Sequence, residues 1–319
     1  MFYFIYIYKA MATLLITNSH FGNLYPEKYS FLAFGGALGN AMFFANAGFL
    51  LGRYDDNFFK WMKKKIVRIL PSVWIVNVIL LISGADYILD NTCIRILCSF
   101  IFPTFFWFVN AILIMYILLF IIQKYISKYL NYIILLSIMI YFVVMIMFVD
   151  IQSFNVEYNY TKCFYYFIAM LLGYAVRTDA KKIRKRYANK NKFWLIGAIG
   201  GFLGYGIGSV IIKIPGMLRY QICVHIMIII CVICLLVFLL LNEERIKNKK
   251  NTFYMKMSYF LSSITLEIYL LNDWTIEYFG MAVFPINMIV VLTIIIGGAF
   301  CIHAISKKID IFLEKRINI

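Results

Sequence analysis

Ten apolar stretches follow one another along the chain, each close to the length that crosses a bilayer, with only short polar joints between them. An α-helix rises about 1.5 Å per residue, so about 20 apolar residues cross the hydrocarbon core of a membrane. The stretches run over roughly 2–20, 32–52, 66–85, 102–122, 131–149, 162–176, 193–212, 220–241, 256–278 and 285–306. The longest polar joint, near 177–192, has only about 16 residues and is too short to bury a core of its own. Composition agrees, with 63% of residues hydrophobic and 14% charged, where soluble domains run near half and a quarter. The expected fold is all-α, a polytopic membrane helical bundle of about ten transmembrane helices, with residues 1–319 forming one membrane-embedded domain.

A formal net charge of +16 would suggest a nucleic-acid partner in a soluble protein. Here the Lys and Arg residues sit in blocks between apolar runs, the pattern of loops that face anionic lipid and set membrane orientation. With ten spans, 25 of the 31 basic residues fall on one side, five on the other and Lys9 inside a span. The bias places both termini in the cytoplasm. Membrane lipid is the expected partner and nucleic acid is not.

The seventh stretch, GAIGGFLGYGIGS, sets Gly197 and Gly201, Gly200 and Gly204, and Gly204 and Gly208 four apart. That spacing stacks small residues on one helix face and lets a neighbouring backbone approach, so these glycines read as packing. Cys231 and Cys234 fall inside an apolar run and read as small packing residues too. No Cys or His spacing builds a metal site.

Ionisable groups at membrane depth are costly unless they pair or line a wet cavity, which makes each a functional candidate. They are Lys9 in the first stretch, His20 at its end, Arg68 at the start of the third, and Glu267 and Asp273 in the ninth. Lys9 and His20 are eleven residues apart, three turns plus about 20° at 100° per residue, so they share a helix face about 16 Å apart along the axis. Alternating topology puts Glu267 near the depth of Lys9, and Asn272 and Asp273 near that of His20. A Lys9–Glu267 ion pair is expected, because either charge alone would be expensive. His20 and Lys9 are the candidate catalytic residues, His20 as the base, since an imidazole takes a proton from a hydroxyl near neutral pH. His225 and His303 lack charged company in the sequence and read as structural.

These segments resemble the acyltransferase-3 family of integral membrane O-acyltransferases. YKAMATLLITNSHF carries its basic residue, ten intervening residues and His, here Lys9 and His20. GNAMFFANAGFLLG resembles the glycine-led Phe-Phe segment, and KKIVRILPSVW the basic pair before Ile-x-Pro, carried by Lys65, Arg68 and Pro71. FFWFVNAILIMY is similar to the Trp-Phe segment around Trp107, FYYFIAMLLGYAVR to the stretch ending Leu-Gly-Tyr, and SSITLEIYLLNDW to the late Ser-x-x-Ile-Tyr-Leu segment. The pieces run in family order across nearly the whole chain. Departures are Tyr6 where the family usually has an acid, Ala47 where Ser is common, and Asn272 where a second His often stands.

The resemblance implies transfer of an acyl group, usually acetyl from acetyl-CoA, to a hydroxyl of a surface polysaccharide or lipid-linked sugar, in the bacterial inner membrane. It implies that the phosphates of CoA meet Lys63, Lys64, Lys65 and Arg68, and that the pantetheine arm threads toward His20, which acts as general base or carries the acyl group covalently. Asn272, Asp273, Glu267, Asn46 and Trp107 are candidates for orienting donor or acceptor. A flippase or other transporter of lipid-linked glycan would share the spans and buried charges but would not need the Lys9–His20 row and the basic Ile-x-Pro segment. A glycan polymerase would show a large outer loop, and the longest expected outer joint, around 150–161, has about 12 residues.

Overall fold

The computed structural model describes residues 2–51, 57–84, 92–102, 105–147, 161–281 and 283–316, and among them it contains helices and no strand. In chain order the α-helices are α1 (Phe4–His20), α2 (Gly36–Leu50), α3 (Phe58–Ser83), α4 (Cys93–Ile101), α5 (Trp107–Tyr125), α6 (Leu130–Met147) and α7 (Thr161–Thr178). They continue as α8 (Ala180–Tyr187), α9 (Asn191–Ile211), α10 (Gln221–Leu241), α11 (Glu243–Asn248), α12 (Phe253–Ser263), α13 (Thr265–Phe279) and α14 (Ile286–Arg316).

Among the described residues, six helical segments are long and apolar enough to cross a membrane: Phe58–Ser83, Trp107–Tyr125, Ser127–Met147, Asn191–Ile211, Leu218–Leu241 and Ile286–Lys315. Of the remaining expected spans, α1 and α2 have 17 and 15 residues. α7 has the length but carries Lys162, Arg177 and three tyrosines. The expected ninth span, 256–278, is two helices of 11 and 15 residues separated at Ile264. Ser262 Oγ donates to the carbonyl of Tyr259 at 2.8 Å at the end of α12. α13 has its own first turn, and Glu267 stands in it, where the positive end of the helix dipole favours a carboxylate.

The chain divides into two compact units whose segments interleave. One comprises Met1–Ser19, Phe34–Arg53 and Tyr125–Ser262, and the other His20–Ala33, Tyr54–Lys124 and Ser263–Ile319.

In the first unit, close packing rests on small residues. A Cβ on Gly48 of α2 would collide with the carbonyl of Met170, and one on Gly173 of α7 with the carbonyl of Ala45. The two glycines thus make a reciprocal crossing of α2 and α7. α9 lies against α10 in the same way: a Cβ on Gly197, Gly201, Gly204 or Gly208 would come within 2.6–2.8 Å of Cys234, Cys231, Met227 or Val224. The packing reading of these glycines and of both cysteines holds. Gly200 faces the other way, with nothing within 4 Å. The start of α1 is held by Glu243, whose carboxylate accepts from the backbone N–H groups of Tyr3 and Phe4 at 2.8 and 2.9 Å, satisfying donors that a helix start leaves open.

In the second unit, α3, α13 and α14 pack together, with α4 against α3. The side chain of Asn57 caps α3 by accepting from Lys60 N–H, and Gly84, with φ of 69°, ends it in the left-handed conformation that glycine adopts without strain. Trp74 Nε1 donates to the carbonyl of Phe100 at 2.6 Å and ties α4 down. At the far end of α3, Ser83 accepts from Trp274 Nε1 through its hydroxyl at 3.0 Å and from Tyr278 OH through its carbonyl at 3.2 Å. Those bonds fix the register of α13 along α3.

Candidate functional site

His20 is the last residue of α1, and a 3-10 turn, Phe21–Leu24, follows it. Its Nδ1 lies 2.7 Å from Asp273 Oδ1 on α13. The imidazole is 28% exposed and the Asp273 side chain 77%. The pair is therefore accessible to a reactant. A carboxylate on Nδ1 fixes the tautomer and ring orientation and leaves Nε2 to take a proton, an arrangement that serves general-base chemistry on a hydroxyl. One turn back on α13, the ring of Tyr269 lies 5.0 Å from that of Phe108. This contact brings the start of α5, where Trp107 stands, beside the same stretch of α13.

Asn272 and Thr275, on α13 beside Asp273, are fully buried, and neither end of the Asn272 amide nor the Thr275 hydroxyl has a hydrogen-bond partner among the described residues. Buried polar groups nearly always find partners. Asn272 and Thr275, within two residues of Asp273 on α13, are exceptions to that rule.

Glu267, six residues before Asp273, is 3% exposed. Its Oε1 accepts from Ser72 Oγ at 2.8 Å and lies 3.1 Å from His303 Nδ1 on α14, while its Oε2 is buried with no hydrogen-bond partner. Asp310, two turns along α14 from His303, is in electrostatic reach of Arg68, Glu267 and His303. Sequence reading left His303 as structural, and the structure places it on a buried carboxylate. A signal existed, because His303 lies within an apolar stretch where any titratable group needs a reason.

Lys65, Arg68 and Ser72 stand three and four residues apart on α3 and so share one face. Lys65 Nζ lies 5.6 Å from the centroid of Trp61 and 6.0 Å from that of Tyr116. Ser72 is buried and meets Glu267, whereas Arg68 is exposed. This face runs from cations to a buried carboxylate over about 10 Å. Lys64 lies beside Lys65, off that row, and is half-buried.

The remaining candidates belong to the other unit. α1 is unbroken from Phe4 to His20, so the eleven-residue spacing from Lys9 is a helical one. Lys9 Nζ lies 5.7 Å from the centroid of Phe43. Asn46 on α2 is buried, with its Oδ1 lacking a partner. The expected Lys9–Glu267 pair joins residues of different units, and each has a neighbour of its own: the Phe43 ring for Lys9, and Ser72 with His303 for Glu267.

No curated protein and no solved structure matches the chain. A family model described as an acyltransferase domain matches residues 2–306, nearly the whole chain. A match of that extent means that this helical protein, with its His20–Asp273 couple, belongs to the acyltransferase-3 family of membrane acyltransferases.

Proposed function

We propose that the protein is an O-acyltransferase that moves an acyl group, acetyl in the first instance, from acyl-CoA to a hydroxyl of a surface polysaccharide or lipid-linked sugar. In this reading the ten apolar segments all lie in the membrane, both termini face the cytoplasm, and the whole chain acts as one catalytic domain in a bacterial inner membrane. The observation that carries the proposal is the 2.7 Å contact of His20 Nδ1 with Asp273 Oδ1.

The reaction then proceeds in balanced steps. His20 Nε2 takes the proton of the acceptor hydroxyl as its oxygen attacks the thioester carbonyl, and Asp273 stabilises the imidazolium. The tetrahedral intermediate collapses by breaking the C–S bond, and the thiolate takes the proton from His20. The products are an O-acyl ester and CoA thiol. The Asn272 amide, buried and unpartnered, suits the developing oxyanion as a donor. Glu267 Oε2 suits an amide N–H of the pantetheine arm. Lys64, Lys65 and Arg68 suit the CoA phosphates, since fixed cations hold phosphate oxygens by charge-assisted hydrogen bonds, and the family resemblance makes Trp107 and Asn46 candidates for orienting donor or acceptor. Lys9 shares a helix face with His20, eleven residues on, and the family resemblance makes it the basic partner of that motif.

The test is His20→Ala in membranes supplied with labelled acetyl-CoA. Incorporation of label into surface glycan should fall to background while glycan export continues. Unchanged labelling refutes the assignment.

A further inference from the structure

Away from the candidate site, the first unit has a cavity of about 830 Å3 at the turn from α8 into α9, lined by Tyr187, Lys190, Asn191, Lys192, Trp194 and Arg245 among others, with no acidic residue in its lining. The acids nearest in sequence are engaged elsewhere: Asp179 with Lys182 at 3.1 Å, Glu244 with Arg184 at 4.0 Å, and Glu243 with the start of α1. Two polar atoms at the cavity are buried without a hydrogen-bond partner, the Trp194 indole N–H and Asn191 Oδ1. The indole is held edge-on to Tyr187, with ring centroids 5.3 Å apart and planes at 85°. Three cations and an orphaned N–H donor around one cavity make an anion site, and the geometry of Arg and Lys suits phosphate.

The helix that leaves this cavity indicates which phosphate. α9 is one of the membrane-spanning candidates. Phe193, Ile196, Gly200, Leu203 and Ile207 follow one another on it at intervals of three and four, forming a single stripe that begins at the cavity. Its four large members are 56–69% exposed, and the position of a Cβ on Gly200 has nothing within 4 Å. The stripe is thus an exposed apolar face with a notch at Gly200, continuous with a cationic pocket at its head. A soluble nucleotide or inorganic phosphate would use the pocket and leave the apolar face idle. An anionic glycerophospholipid uses both.

We propose that this cavity is a specific site for an anionic glycerophospholipid, with the phosphate between Lys190, Lys192, Arg245 and the Trp194 N–H and one acyl chain along the α9 stripe. The site is separate from the His20–Asp273 couple and stands or falls independently of the proposed chemistry.

The test is native mass spectrometry of the full-length protein in detergent, titrated with phosphatidylglycerol or phosphatidylcholine. Wild-type protein should bind phosphatidylglycerol about tenfold more tightly than phosphatidylcholine, a gap of one decade in Kd. Lys190→Ala/Lys192→Ala/Arg245→Ala should lose about that decade, while Lys181→Ala/Lys185→Ala/Lys247→Ala, which removes the same charge outside the cavity, should keep wild-type affinity. Trp194→Phe removes only the N–H donor and should weaken phosphatidylglycerol about threefold, so it carries the test if the triple variant does not fold. Equal affinity for the two lipids overturns the proposal, as does equal loss in both triple variants. So does full displacement of phosphatidylglycerol by inorganic phosphate or adenosine 3′,5′-bisphosphate, which would make the pocket a site for soluble phosphates.

Discussion

Replacing Asp273 by Asn tests the catalytic reading at its narrowest point. The substitution keeps size and hydrogen-bonding capacity but removes the charge opposite His20 Nδ1, which stands at 2.7 Å. A hydrogen bond to a charged group contributes about 1.5–3 kcal/mol. The Asp273 side chain is 77% exposed, so solvent screening places the effect at the lower end. At about 1.36 kcal/mol per decade, kcat should fall about tenfold. The KM for acyl-CoA should stay within about twofold, because the Lys65–Arg68 face of α3 is untouched and a transition-state interaction appears in kcat. His20→Ala removes the base itself and should cost about 10²–10⁴.

The decisive measurement is the double variant. If Asp273 acts only through His20, Asp273→Asn added to His20→Ala should cost nothing further, since residues that act as a unit are not additive. The assay is transfer of labelled acetyl in membranes with protein amounts matched, and a melting curve in detergent confirms folding. A tenfold loss from Asp273→Asn in both backgrounds refutes the couple, and so does a single-variant rate within twofold of wild type.

Other outcomes follow from the same geometry. Lys65→Ala and Arg68→Ala should each raise the KM for acyl-CoA about tenfold with kcat changed less than about threefold, as expected for phosphate contacts kept in ground and transition states. Glu267→Ala strips the acceptor from buried Ser72 and from His303 and should cost about 3 kcal/mol of stability, with Glu267→Gln costing about 1 kcal/mol, read from melting in detergent. Gly201→Ala drives a Cβ to 2.6 Å from the Cys231 nitrogen and should destabilise by about 1–3 kcal/mol. Gly200→Ala meets open space and should stabilise by up to about 1 kcal/mol.

Hydropathy located the helices because it reports where the chain meets hydrocarbon, and for that reason it misplaced some of their ends. The third span was expected from residue 66, yet α3 begins at Phe58. Its first turns carry Lys60, Lys63, Lys64 and Lys65 and leave the apolar run, but they remain helical from the Asn57 cap. α14 likewise continues to Arg316, past the end of its apolar stretch. The break at Ile264 lay beyond hydropathy for the opposite reason: both flanks are apolar, so an apolar average runs straight across it. Among the glycines, four-residue spacing supplied the candidates. Only the position of α10 selects 197, 201, 204 and 208 as the contact face and leaves Gly200 outside.

The site divides along a similar line, between depth and azimuth. Counting residues from the ends of the spans put Asp273 level with His20 from sequence, and the two are in contact across 253 positions of chain. The same counting put Glu267 level with Lys9, a residue of the other unit. Glu267 is turned toward α3 and α14, onto Ser72 and His303. On α13 the two carboxylates are six residues apart, about 9 Å along the axis and 120° apart around it. One helix thus presents a buried acid to Ser72 and His303 and an exposed acid to His20, with Asn272 between them in sequence and Thr275 two residues beyond. Mutation should therefore separate the two: loss at Asp273 belongs in the rate of transfer, and loss at Glu267 in the integrity of the helix packing and the passage of the donor.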